Sequence, residues 1–247
     1  MNHKYVADRL VSWLQMQVQN SNSKGLLVGI SGGVDSAVVA NLIKLACPDS
    51  SLGVIIPIHS SGSSLDDANL LIKQCNIQSV VVDLSDEHQV ILDKSMKTIK
   101  DLGLFKQDYL KITDANLRAR LRMSTLYSIA NNLGYMVVGT DNADETYTGY
   151  FTKYGDGAVD LMPLKKILKK DVYEIGRVLG VPESILKKAP SADLWENQTD
   201  EAEMGVSYSS IEKYITGEKV SENEEKIILS LHKKSEHKRS LPPFFEF

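Results

Sequence analysis

Ser31, Gly32, Gly33, Val34, Asp35 and Ser36 follow one another directly, and together their types suit the holding of phosphates beside a metal ion. Two adjacent glycines let a backbone turn tightly and approach an anion closely. The first N–H groups of a helix have no partner inside it, so they offer donors to phosphate. The serines add hydroxyl donors, and Asp35 adds a carboxylate able to hold Mg²⁺ against phosphate oxygens. A plain Gly-Gly turn with a serine cap would account for the glycines but not for Ser, Asp and Ser set around them. A Walker loop is excluded because no lysine follows the glycines. The dinucleotide fingerprint is excluded because Gly29, Gly32 and Gly33 are wrongly spaced.

The elements that must position these residues are legible around them. The apolar run Leu26 to Ile30 reads as a buried strand and Ala37 to Leu45 as a helix, so the loop spans a strand-to-helix turn. Before it, Val6, Leu10, Leu14 and Val18 form a stripe on a helix from Tyr5 to Gln19. After it come a strand at Gly53 to Ile58, a helix from about Leu65 to Cys75, a strand at Gln78 to Leu84 and a helix from Asp86 to Lys100. Thr113 or Asp114 is expected to cap a long helix ending at Asn132 and stopped by Gly134, and Tyr135 to Gly139 is a fourth strand. Strands that are continuous apolar runs alternating with helices predict an α/β fold, a doubly wound parallel sheet covered by helices on both faces. In such sheets ligands bind beyond the carboxyl ends of the strands, where both the loop and Thr140 to Glu145 lie. Beyond Lys169 the chain reads as helical: Asp171 to Leu179, a short helix begun by Pro182, and surface helices at Ser207 to Ile215 and Glu222 to His232. Pro190 to Gly205 reads as a mobile acidic loop, with Asp200, Glu201 and Glu203 solvated.

Composition sets the outer limits. A chain of 247 residues with 43% hydrophobic residues suits one large α/β domain or two small ones, and it is read as one, residues 1–247. A mean hydropathy of -0.17 and the lack of a membrane-length apolar run predict a soluble protein without a membrane partner. The net charge of -4 argues against a general nucleic-acid surface. The two cysteines, Cys47 and Cys75, have no metal-ligand spacing and read as reduced thiols of a cytoplasmic protein.

The six-residue loop resembles the pyrophosphate loop of the ATP pyrophosphatases, enzymes that cleave ATP to AMP and pyrophosphate while adenylating a substrate. A narrower resemblance, to the NAD synthetases, rests on further blocks in the family's order. These are Asn116 to Met123, Val138 to Glu145, Gly149 to Gly157 (with Phe151-Thr152-Lys153-Tyr154-Gly155-Asp156-Gly157), Asp160 to Leu164, Pro190 to Leu194 and Ser235 to Arg239. The resemblance implies an adenine nucleotide alpha hydrolase-like fold with a helical C-terminal part. It also implies the reaction: the carboxylate of deamido-NAD attacks the α-phosphate of ATP, pyrophosphate leaves, and ammonia converts the adenylate to NAD and AMP. No glutaminase domain accompanies the loop domain, so the chain is similar to the ammonia-dependent type. The family also implies a homodimer with the dinucleotide near the subunit interface.

Residue by residue, the resemblance assigns ATP to Gly29, Ile30, Ser31, Gly32, Gly33, Val34, Asp35, Ser36, Thr140, Lys169 and Ser191, the last standing where the family commonly has threonine. Deamido-NAD is assigned to Arg120, Lys153, Asp160, His237 and Lys238, Mg²⁺ to Asp35 and Glu145, and catalysis to Asp35, Glu145 and Lys169. His59 and Ser60 are placed near adenosine by position alone. Each has an ordinary alternative: a helix-terminal carboxylate for Glu145, a helix cap for Thr140, a solvated face for Lys169 within Lys165, Lys166, Lys169 and Lys170, a surface ion pair for Arg120, and a solvated basic tail for His237 and Lys238. Bringing a carboxylate to a triphosphate sets two anions together, so cations and Mg²⁺ are needed to offset their repulsion. Other readings are a tRNA-modifying ligase, the synthetase half of GMP synthetase, or a nucleotide sensor without catalysis. The Phe-Thr-Lys-Tyr-Gly-Asp-Gly block and the retention of Asp35 and Glu145 argue against them.

Overall fold

In chain order, α1 (His3–Ser21) is followed by β1 (Gly25–Gly29), α2 (Val34–Ala46), β2 (Ser51–Ile55), α3 (Gly62–Cys75), β3 (Gln78–Val81) and α4 (Ser85–Asp101). A 3-10 turn at Gln107–Tyr109 leads into α5 (Leu110–Leu133), β4 (Tyr135–Val137) and α6 (Ala143–Thr148). Then come α7 (Lys169–Val178), α8 (Glu183–Lys187), α9 (Asp200–Met204), α10 (Tyr208–Ile215), α11 (Glu222–Lys234) and α12 (Glu236–Arg239). This computed structural model describes residues 1–60, 62–190 and 199–246.

The sheet has the order β3-β2-β1-β4, and every neighbouring pair is parallel. The chain winds outward from β1 to β3, then returns through α4 and α5 to lay β4 on the other side of β1. The winding reverses between β1 and β4, and ligands of open parallel sheets bind at such a switch point. Leu26 and Val28 belong to one buried cluster, with Leu42 of α2 and Val172 and Ile175 of α7. Leu27, between them, joins a second cluster with Val54, Ala130 and Leu126. That alternation is the two-residue period of a strand with both faces covered.

Four expectations are corrected. The long helix begins at Leu110 rather than at Thr113 or Asp114, because the 3-10 turn runs straight into it and Tyr109 caps it without a side-chain bond. Asp114 instead pairs with Arg118 at 2.7 Å. The third strand is not a buried run: β3 lies at the sheet edge, and Val81 is 62% exposed. Asp200–Met204, expected as loop, forms α9, whose first turn is capped by Thr199. The helix expected on the surface at Ser207 to Ile215 buries Tyr208, Ser210, Ile211 and Glu212. With Met204, Val206 and Ile228 its apolar residues make a third cluster, against Tyr147 of α6 and Tyr150 just after it.

Candidate active site

The loop after β1 is held in shape by its own side chains. Ser36 Oγ donates to the Gly33 carbonyl at 3.0 Å and lies 3.1 Å from Ser31 Oγ, while Gly33 N–H donates to Ser31 Oγ at 3.3 Å. Gly32 has φ +83°, a region costly for any residue with a Cβ, and an added Cβ would lie 2.6 Å from the Ser64 carbonyl oxygen. Glycine at position 32 thus answers two constraints at once. Gly29 closes β1, Ile30 donates its N–H to Val54 at 2.8 Å, and Val34 is buried at the start of α2.

Across the switch point, the segment after β4 supplies a second set. Asn142 caps α6 in a capping box with Glu145, and its side-chain amide donates to Asp35 Oδ1 at 3.0 Å. One residue therefore orients the carboxylates of both α2 and α6. Thr140 is half-buried just ahead of it. Lys169 opens α7, whose first N–H groups are capped by acidic side chains from elsewhere: Lys169 N–H donates to Asp144 at 2.8 Å and Lys170 N–H to Glu212 at 2.7 Å.

These three helix starts converge. Lys169 Nζ lies 2.6 Å from Asp35 Oδ2 and 3.2 Å from Glu145 Oε1, with its side chain 5% exposed. Lys165, Lys166 and Lys170 are exposed, so the lysine run is a solvated face except at the member singled out. Burial would lower the Lys169 pKa, but Asp35 and Glu145 outweigh it and hold the amine well above the ordinary lysine value. Burial pushes Glu145 up to about 7 against the pull of Lys169, with Asp35 raising it further. Burial likewise raises Asp144 to about 7 and lifts Asp141, which also feels Asp156 and Glu145.

Two residues of the cluster escaped the sequence reading. Tyr208 hydroxyl lies 3.2 Å from Glu145 Oε1 and 2.9 Å from Asp200 Oδ2, and its ring sits 5.0 Å from Lys169 Nζ. A phenol has one proton to give, so it donates to one of the two carboxyls at a time. Asp200, expected to be solvated, is 4% exposed, and burial raises its pKa. The only sequence signal was Asp200 at the start of an acidic run, which by itself marks a solvated segment.

The residues assigned to the second substrate fall into two groups. Arg120 donates to the Lys153 carbonyl at 3.4 Å, and the Lys153 amine donates to the His237 carbonyl. Lys238 donates to the Gly149 and Phe151 carbonyls at 2.8 and 2.6 Å, bracing the strand of chain that carries Lys153. Asp160 is apart from these, accepting from Tyr127 hydroxyl at 3.0 Å and from Val137 N–H at 2.8 Å. Ser60 accepts from Arg122 at 3.4 Å, and His59 is exposed with φ +52°. Ser191 lies outside the described residues.

A parallel sheet with a Gly-Gly loop and a lysine–dicarboxylate cluster at its switch point defines a protein of the adenine nucleotide alpha hydrolase-like class. Within that class the sequence is specific: the NAD synthase family profile matches residues 6–242. An NH(3)-dependent NAD(+) synthetase of Alkaliphilus oremlandii is 52% identical over 96% of this chain and 94% of its own. Among solved structures, one described as an NMN synthetase from Francisella tularensis superposes with a TM-score of 0.93 at 38% identity, covering 100% of both chains. An NH3-dependent NAD synthetase from Campylobacter jejuni gives 0.80 at 25% identity, again over 100% of both. The chain belongs to the NAD synthase family. It is an enzyme, a ligase of the kind that completes NAD biosynthesis. Among the described residues no helix is long and apolar enough to cross a membrane.

Proposed function

We propose that this ligase joins ammonia to the nicotinate carboxylate of deamido-NAD, using ATP and releasing AMP and pyrophosphate. The observation that carries the reading is Lys169 Nζ held between Asp35 and Glu145 at the strand ends where the phosphate loop begins. In the first step a carboxylate oxygen attacks the α-phosphorus and the bond to pyrophosphate breaks. Lys169 offsets charge on the α-phosphate, while the loop N–H groups and the Ser31 and Ser36 hydroxyls hold the leaving pyrophosphate. In the second step the ammonia lone pair attacks the mixed-anhydride carbonyl, AMP leaves, and one proton is lost from nitrogen. Arg120, Lys153, Asp160, His237 and Lys238 are assigned to the dinucleotide, Thr140 and Ser191 to ATP.

Asp35 and Glu145 flank Lys169 Nζ at 2.6 and 3.2 Å, and two carboxylates at one site would suit Mg²⁺ held together with substrate phosphates. Among the described residues no group of three His, Cys, Asp or Glu side chains could hold a metal alone, in keeping with an ion that arrives with the nucleotide. When bound there, Mg²⁺ supplies charge neutralisation for the triphosphate. Free Cys47 and Cys75 suit a reducing compartment, supporting the cytoplasm as its location.

The quaternary reading is a homodimer. Only Ala115 and Ala130 of α5 are buried, although the helix runs 24 residues. Beside it α4 exposes Val90 and Ile91, and α5 exposes Ile112. A groove between the two helices is lined by Ile91, Met96, Ile112 and Leu117 and reaches Arg120. A second copy seated on this face would cover the apolar side chains and place the dinucleotide near the interface.

The assay is AMP and NAD formation from ATP, Mg²⁺, ammonium and deamido-NAD. ATP consumption seen only with tRNA or xanthosine monophosphate would overturn the reading. The Francisella neighbour, described as an NMN synthetase, favours a second reading in which this chain's acceptor is the mononucleotide, nicotinic acid mononucleotide. Comparing kcat/KM for the mononucleotide and the dinucleotide decides between them: a larger value for the mononucleotide replaces the first reading with the second.

A further inference from the structure

The loop after β1 lacks the lysine that other phosphate loops carry, and the charge of Lys169 is already answered by Asp35 and Glu145. Lys169 is assigned to the α-phosphate, so the outer phosphates of an entering triphosphate gain no side-chain cation of their own from that cluster. The structure holds a further cation beside the loop. A Cβ placed on Gly32 would lie 2.6 Å from the Ser64 carbonyl oxygen and 3.2 Å from Asp67 Cβ, so the first turns of α3 rest directly on the loop's edge. Lys188, at the end of α8, reaches that same spot: its Nζ is 3.0 Å from Asp67 Oδ2 and 3.2 Å from Ser64 Oγ. Ser184, one turn earlier, lies 3.4 Å from Asp67 Oδ1.

We infer that Lys188 is a phosphate-binding residue of this enzyme, which exchanges Asp67 for the outer phosphates of ATP and then for the released pyrophosphate. The inference rests on the proposed role of the Ser31–Ser36 loop. Its physical basis is a difference in exposure and charge. The Lys188 side chain is 34% exposed, and its pair with Asp67 is partly screened by water, hence weak and readily exchanged. A pyrophosphate group at the adjoining loop carries several negative charges against the single one of Asp67. Lysine binds phosphate as a movable point charge on a flexible stem, which suits a swing from one partner to the other. Lys169, 5% exposed and bonded to two carboxylates, has no such freedom.

The test is binding of inorganic pyrophosphate with Mg²⁺ to the full chain by titration calorimetry, for the parent and three variants. Lys188→Gln is expected to weaken pyrophosphate roughly tenfold or more, the loss of one charge-assisted contact. Lys188→Arg should stay within about threefold of the parent. Asp67→Asn frees the amine and should leave affinity unchanged or improve it. If Lys188 were merely a tie between α8 and α3, Lys188→Gln and Asp67→Asn would weaken binding alike and lower the melting temperature alike; that result, or parent-like binding by Lys188→Gln, overturns the inference. A parent protein that binds no pyrophosphate would overturn the loop assignment as well.

Discussion

Replacing Glu145 by glutamine should destroy activity and yet stabilise the protein at alkaline pH. The Glu145 carboxyl titrates at about 7 instead of the ordinary 4.5, because burial and Asp35 oppose its charge more than Lys169 favours it. A folded-state carboxyl pKa raised above its unfolded value costs stability once the group must ionise. The cost is absent below the unfolded pKa, grows as pH rises between 4.5 and about 7, and is fully present above. At 1.36 kcal/mol per unit, that interval corresponds to about 3 kcal/mol at pH 8. Glutamine keeps the shape, keeps an acceptor for the Asn142 N–H of the capping box, and leaves Lys169 paired with Asp35. Thermal unfolding without metal should thus show Glu145→Gln melting roughly 5–10 °C above the parent at pH 8 and level with it near pH 4.5. Mg²⁺ added together with ATP should narrow the gap by favouring the ionised parent. A variant less stable than the parent at pH 8, or a difference independent of pH, would refute the claim that Glu145 is held ionised against its own burial.

Three further outcomes test separate parts of the structure. Asp35→Ala should lower turnover at least ~100-fold with little change in fold, read as AMP release with saturating substrates; near-normal rates at ordinary Mg²⁺ would remove Asp35 from the centre. Gly32→Ala should cost about 2 kcal/mol from positive φ alone, and more from the contact with Ser64, measured as a lowered denaturant midpoint. Ile112→Glu places a charge on the exposed α4–α5 face and should yield a monomer in light scattering where the parent is a dimer; a parent that is itself monomeric would sink the quaternary reading.

The readings that came through best from sequence were those with local causes. A Gly-Gly pair between an apolar run and a helix pattern is a strand–turn–helix wherever it is placed, and the structure has β1, the loop and α2 there. Helix stops were equally local: Gly134 takes the left-handed conformation that ends α5. Starts were not. Thr113 and Asp114 are good capping types, but Asp114 is used for an ion pair with Arg118 and the helix begins a turn earlier. The run Gln78 to Leu84 looks buried because its residues are apolar, but burial depends on which strand forms the edge, and β3 does. Tyr208 and Asp200 show the limit most plainly. They are separated from Asp35 by more than 160 positions, and nothing in their neighbourhoods distinguishes them from an ordinary helix start and an acidic loop.

The sequence alone determined the kind of chemistry, since the spacing of Ser, Gly, Gly, Asp and Ser constrains a single turn of backbone. It also carried the blocks that define the family. Only the tertiary structure decided which charges meet. Lys169 became the buried member of a lysine run because Asp144 and Glu212, from α6 and α10, cap the first N–H groups of α7 and so aim that side chain between Asp35 and Glu145. A loop's shape is written in neighbouring residues, whereas the ionisation of a carboxylate depends on every group packed around it, wherever in the chain that group arises.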